Sequence, residues 1–277
     1  MTDPVRRQSR IAWRQGRAAN GERALPVETA VALVFNGSSH AVMMASPADL
    51  EDFALGFSLA EGIIDTPQDI QNLDIETNQH GIELRLWLDD AHAERLAARR
   101  RQMAGPTGCG LCGIESLEQA MQPPAKVDAA SRFTPQMIAQ ALASMAPAQA
   151  LNTETRAVHA AGYWEPGLGL VALREDVGRH NALDKLAGAL ARSGNPAARG
   201  LLLLTSRVSV EMVQKAARLG APVIVAVSAP TTLAVQMADA AGITLIAVAR
   251  GEEFEIFTHV DRVVTDRVVM EATDHVA

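Results

Sequence analysis

A chain of 277 residues, 48% of them hydrophobic, suffices for one large domain or a main domain with a smaller appendage, and needs no staples to build a core. Its formal charge of −7 argues against a general nucleic-acid surface and gives no reason for adsorption to anionic lipid. The two cysteines, Cys109 and Cys112, cannot build a disulfide framework and fit a reducing, cytoplasmic compartment, and no apolar run approaches a membrane span.

Residues 1–25 read as a mobile basic lead-in. Arg6-Arg7 lacks the apolar run of an export signal, so the segment reads as a solvated tail, with contact to an acidic partner as the alternative. Residues 26–130 read as an α+β region. Thr29–Phe35 and His40–Ala45 are predicted strands around an Asn36-Gly37 hairpin turn. Ser46-Pro47 reads as a helix start, Leu50, Phe53, Ala54, Phe57 and Leu59 as its apolar stripe, and Gly62 as its stop. Strands are predicted near Leu73–Thr77 and Ile82–Leu88, then a helix over Ala91–Met103. Glycine-rich residues 105–113 break the pattern, and a helix is predicted over Ile114–Met121. After a Pro123-Pro124 linker, Thr134-Pro135 caps a further helix. Residues 131–277 read as a layered α/β domain. Its predicted strands lie near Ala157–Ala161, Gly169–Leu173, Gly200–Thr205, Pro222–Ser228 and Thr244–Ala249. Its predicted helices are Asn181–Arg192, Val208–Leu219 and Leu233–Ala241.

Cys109-Gly-Leu-Cys112 is the only thiol chemistry in the chain. A structural zinc site lacks the histidines to complete four ligands. A redox pair usually opens a helix directly after a strand, whereas a Gly-Pro-rich segment precedes this one. A carrier thiol suits the flanking glycines, which favour an exposed, mobile loop able to visit a donor and an acceptor. On the motif alone, carrier and redox roles stand level, both ahead of metal binding. His92-Ala-Glu94 ahead of the cysteine pair imitates a zinc deaminase. Gly108 stands where that motif needs proline, and a helix and loop stand where it needs a strand, so His92 reads as an ordinary surface histidine and no zinc is expected.

Three polar turns end apolar strands: Arg174–Lys185, Thr205–Glu211 and Ser228–Thr232. Strand ends of open α/β sheets bind ligands, and helix N-termini there favour phosphate. Each of Ser206, Ser209, Thr231 and Thr232 taken singly reads as a helix cap. Together with Arg179, His180 and Arg207 they predict an anion site.

With Gly-Cys-Gly-Leu-Cys-Gly at 108–113, Asp-Val-Gly-Arg-His-Asn-Ala-Leu-Asp-Lys at 176–185 and Val-Gln-Lys-Ala-Ala-Arg-Leu-Gly-Ala-Pro-Val at 213–223, the chain resembles the FdhD family of formate dehydrogenase accessory sulfurtransferases. Ser228–Val235, Val248–Glu253 and Phe53–Gly62 add to the resemblance. Ser206 and Arg207 are adjacent where many relatives have an intervening glycine. The resemblance implies a cytidine-deaminase-like α/β fold without catalytic zinc, beside a smaller N-terminal α+β domain. It implies a persulfide on Cys109, assisted by Cys112, loaded by a cysteine desulfurase. The acceptor it implies is Mo-bis(molybdopterin guanine dinucleotide), bound as substrate for delivery to formate dehydrogenase. It places Val248, Ala249, Arg250, Gly251, Glu252 and Glu253 in the cofactor-binding stretch. A cofactor with two nucleotide arms suits a homodimer. A thiol-disulfide oxidoreductase is the alternative reading.

Overall fold

The computed structural model describes residues 3–103, 124–195 and 197–264. The first element was not foreseen. β1 (Val5–Arg14) and β2 (Arg17–Pro26) form an antiparallel ribbon where the sequence read as a tail. Gln15 and Gly16, at φ of 50° and 75°, make the two-residue turn that matches strand twist. Six arginines, Arg6 and Arg7 adjacent among them, gave the segment its tail-like composition and masked its period of two.

The next sheet contains β3 (Thr29–Phe35), β4 (Ser38–Ala45), β5 (Ile70–Asn78) and β6 (Gly81–Leu88), in the order β4-β3-β6-β5. Asn36-Gly37 closes the β3–β4 hairpin as expected. Strict alternation buries Val31, Leu33, Phe35, Ile82, Leu84 and Leu86 on one face. Phe53 and Phe57 of α1 (Leu50–Ala60) pack against that face. The helix starts after Asp49, not at Ser46-Pro47. Ser46 is instead buried, and its amide donates to Asp176 at 2.9 Å. α2 (Asp90–Met103) follows β6 as predicted. Cys109, Cys112 and the helix predicted over 114–121 lie outside the described residues.

The second half holds a six-stranded sheet in the order β12-β11-β10-β9-β7-β8. Its strands are β7 (His159–Glu165), β8 (Gly169–Asp176), β9 (Leu201–Leu204), β10 (Val223–Ala226), β11 (Thr244–Arg250) and β12 (Glu253–Ile256). β9, β10 and β11 run parallel, while β7, β8 and β12 join antiparallel, so the sheet is mixed. Leu201–Leu204 and Val223–Ala226 are buried throughout, as continuous apolar strands covered on both faces must be. α3 (Pro135–Ala148) covers one face, its start capped by Thr134, whose hydroxyl accepts from the Met137 amide. A short helix, α4 (Ala150–Thr155), follows it. On the other face lie α5 (Arg179–Ser193), α6 (Val210–Arg218) and α7 (Thr232–Ala241). Val127 packs into this helical face, and its amide donates to Ala241, so the chain has joined the α/β layer before α3 begins.

The two halves meet where α1 crosses α5. A Cβ on Gly56 would lie 1.7 Å from the Asp184 carbonyl oxygen, and one on Gly188 would lie 2.0 Å from that of Asp52. Only glycine permits this backbone contact. Charge closes the seam around it. Asp52 accepts from Arg174 at 2.8 Å and from Arg192 at 2.9 Å. Lys215 reaches Asp184 at 2.7 Å and Glu61 at 3.4 Å.

Candidate functional site at the strand ends

The sheet register brings the polar turns to one rim. Parallel pairing aligns Leu204 with Ala226, and Val225 with Ile246, so β9, β10 and β11 end on the same side. Antiparallel β7 begins there at His159, and β8 ends there at Asp176, opposite His159. The starts of α5, α6 and α7 therefore open onto one edge, with the orphan amides of three helix N-termini among them.

On the α3 side of this rim lies a groove of about 530 Å³. Ala249, Arg250, Gly251 and Glu252 line it, four of the six residues of the 248–253 stretch. Thr205, Val227, α3 residues that include Leu142, Met145 and Ala146, and Gln149 just past the end of α3 also line it. Sequence reasoning missed these α3 residues, because nothing in a helix sequence tells which strand ends it will face. Val248 stands just before the groove residues at a φ of 54°, which a β-branched side chain rarely adopts. The pairing of β11 with β12 slips between Ala247 and Arg250, so a bulge turns the following backbone out of the ladder. Glu253 opens β12 opposite Arg250.

The other predicted site residues share the rim but do not line the groove. Arg179 and His180 open α5. Arg179 Nε is shielded from solvent and has no hydrogen-bond partner among the described residues. His180 Nε2 lies 3.1 Å from Glu211, off the hydrogen-bond direction. The facing His180 holds the Glu211 carboxyl below its usual range, and burial followed by the Arg179 charge pulls His159 down. The Ser206 hydroxyl donates to the Arg207 carbonyl, and the Ser209 hydroxyl donates to Glu211. Arg207 is exposed at the turn. Thr231 caps α7 by accepting from the Ala234 amide, and Thr232 is that helix's first residue. For Thr231 the simple capping role holds.

Most of the 176–185 motif serves the seam between the two halves. Asp176 accepts from Lys185 at 2.6 Å, from the Gly178 amide at 2.8 Å and from Asn181 at 3.0 Å. Lys185 also donates to the Ser46 carbonyl, and Asn181 to that of Met44. The motif thus clamps the end of β4 to α5 and leaves Arg179 and His180 facing the rim.

His92 corrects the sequence reading. Only 11% of its side chain is exposed, and Asp89, Asp69 and Asp65 surround it at 2.8, 3.2 and 3.3 Å. Asp65, Asp69 and His92 are the group with metal-ligand spacing among the described residues. The Asp89 hydrogen bond, helped by Asp65 and Asp69, raises the imidazole pKa.

Residues 26–264 match the FdhD/NarQ family. The sulfur carrier protein FdhD of Agrobacterium fabrum is 56% identical over 94% of this chain and 96% of its own length. That of Brucella abortus is 52% identical over 92% and 95%, and that of Cupriavidus necator 49% identical over 90% and 87%. A crystal structure of a candidate formate dehydrogenase accessory protein from Desulfotalea psychrophila superposes with a TM-score of 0.75. It is 24% identical, spans 95% of this chain and all of that one, and shares the fold. The mixed sheet, the glycine-mediated helix crossing and the groove at the strand ends are thus the frame of a member of the FdhD/NarQ family, to which this chain belongs.

Proposed function

We propose that this protein is a carrier-type sulfurtransferase that serves formate dehydrogenase maturation. The observation that carries the reading is the family match over residues 26–264, joined to near full-length relatives named as sulfur carriers. Cys109 is the carrier. Its thiolate attacks the terminal sulfur of a cysteine desulfurase persulfide and forms Cys109-S-SH, while the desulfurase thiolate leaves. The terminal sulfur then passes to the molybdenum centre of Mo-bis(molybdopterin guanine dinucleotide), which is the substrate: the S–S bond breaks, the Cys109 thiolate leaves, and the sulfur takes the two electrons that make it a sulfido ligand from the molybdenum, which is oxidised. Cys112 assists by tuning or releasing Cys109. The guanine nucleotide arms sit at the rim, where helix N-termini and Arg250 favour their phosphates. The reaction belongs to the cytoplasm, where free thiols persist.

A cell lacking this protein tests the proposal. Wild-type protein restores formate dehydrogenase activity there, and Cys109→Ala at equal abundance does not. Full activity with Cys109→Ala would reject the carrier role. Equal loss with Cys112→Ala would make the pair a dithiol unit.

A further inference from the structure

The first turn of α2 carries His92 into a group of three carboxylates from two parts of the chain. Asp89 precedes the helix, while Asp65 and Asp69 belong to the turn before β5. Asp89 caps α2 by accepting from the His92 amide at 2.8 Å, and its carboxylate also lies 2.8 Å from the ring Nδ1. With Nδ1 engaged there, Nε2 is the nitrogen that faces Asp69 at 3.2 Å and Asp65 at 3.3 Å. A histidine that binds a metal ion is oriented in this way, with one ring nitrogen on a carboxylate and the other on the metal.

The two facing carboxylates are set in place before any ion arrives. Asp69 is mostly buried, and its Oδ2 accepts the amides of Asp65 and Thr66 at 2.9 and 2.7 Å. Its Oδ1 accepts the Thr66 hydroxyl at 3.0 Å. Asp65 stands outermost, exposed, with Arg95 at 3.1 Å. The ligand atoms of Asp65, Asp69 and His92 all lie within 4.8 Å of one another. Bonds of about 2.1 Å to a divalent ion hold neighbouring ligand atoms roughly 3.0–3.4 Å apart, the separation at which both carboxylates stand from Nε2.

Charge points the same way. All three carboxyls are held below their usual range: Asp69 against the cost of burial by the Thr66 and Asp65 amides, Asp65 by the Arg95 hydrogen bond, and Asp89 by the His92 amide. Arg95 is the one other cation paired with them among the described residues. A proton on His92 therefore leaves the group with one negative charge in excess. A divalent ion on the neutral ring leaves none.

We propose that Asp65, Asp69 and His92 bind one divalent transition-metal ion, zinc more tightly than manganese, with water completing its shell on the exposed side of Asp65. Nε2 releases its proton to solvent as the ion binds. One imidazole beside two carboxylates suits such an ion, whereas magnesium prefers oxygen alone. The ion ties the turn before β5 to the first turn of α2. The site differs from the one that His92-Ala-Glu94 imitates, because its other ligands precede the histidine and include neither Glu94 nor the cysteines. This inference does not rest on the sulfur-carrier reading.

Calorimetry on the full chain carrying Cys109→Ala/Cys112→Ala tests it, since thiols would otherwise compete for zinc. Circular dichroism confirms that each variant folds. One zinc ion binds per chain with a micromolar or lower dissociation constant. Manganese(II) competes for the same site, and magnesium does not. Asp89→Asn weakens zinc binding about 10- to 100-fold by freeing the ring, and His92→Ala and Asp69→Asn each weaken it further. Arg95→Ala binds zinc more tightly, because Asp65 then has no rival cation. Absence of zinc binding at millimolar concentration would overturn the proposal. So would binding that survives both His92→Ala and Asp69→Asn, or weaker binding by Arg95→Ala.

Discussion

Val248 holds a backbone conformation that costs about 1–3 kcal/mol, and it does so immediately before the residues that line the groove. Strain kept at such a position implies that the bulge is needed to aim Arg250. Val248→Gly is expected to raise stability by about 1 kcal/mol in urea denaturation, because glycine takes the positive φ without a Cβ clash. The same change is expected to weaken guanosine diphosphate binding in calorimetry, since the released backbone no longer holds Arg250. Arg250→Ala is expected to cost roughly tenfold or more in affinity for guanosine diphosphate, the loss of one charge-assisted contact. Equal binding of adenosine diphosphate would remove the guanine nucleotide from the account. His92 gives a pH signature. Its pKa is raised above 6.5 by the Asp89 hydrogen bond, with Asp65 and Asp69 adding charge. The stability it confers is therefore full below the unfolded pKa and is lost as pH rises through the folded one. His92→Gln should lower the melting temperature at about pH 6 and converge with wild type at about pH 9. A constant difference across that range would mean that the imidazolium charge contributes nothing.

At the scale of elements, the α1–α5 crossing is the most exacting contact in the fold. Gly188→Ala places a methyl group 2.0 Å from the Asp52 carbonyl oxygen and must push the helices apart. A loss of about 1–3 kcal/mol is expected, the usual cost of overpacking, read as a lower denaturant midpoint. No loss would show that the helices slide freely. Elements that bury their own pattern were legible in the sequence. β3 and β6 alternate, β9 and β10 are unbroken apolar runs, and Thr134-Pro135 announces α3. The β1–β2 ribbon and β12 were not, because the ribbon's six arginines hide its alternation and β12 has only four residues after a turn. The start of α1 was misplaced because Ser46 serves a partner 130 residues away, which no local signal reveals.

At the scale of the molecule, the site was legible as a set of turns and not as a surface. The sequence showed polar residues at successive strand ends, and the sheet order turned them into one rim. It could not show that Asp176, Asn181 and Lys185 are spent on joining the two halves. Removing either member of the buried Lys185–Asp176 pair would leave its partner uncompensated, at a cost of about 3–5 kcal/mol. Lys185→Ala should therefore unfold at markedly lower denaturant. The central claim concerns Cys109, and intact mass addresses it most directly. After incubation with a cysteine desulfurase and cysteine, the wild-type chain should gain the mass of one sulfur atom. That gain should vanish with reductant and be absent from Cys109→Ala. A chain that instead only loses two hydrogens, cycling between dithiol and disulfide without gaining sulfur, would contradict the account.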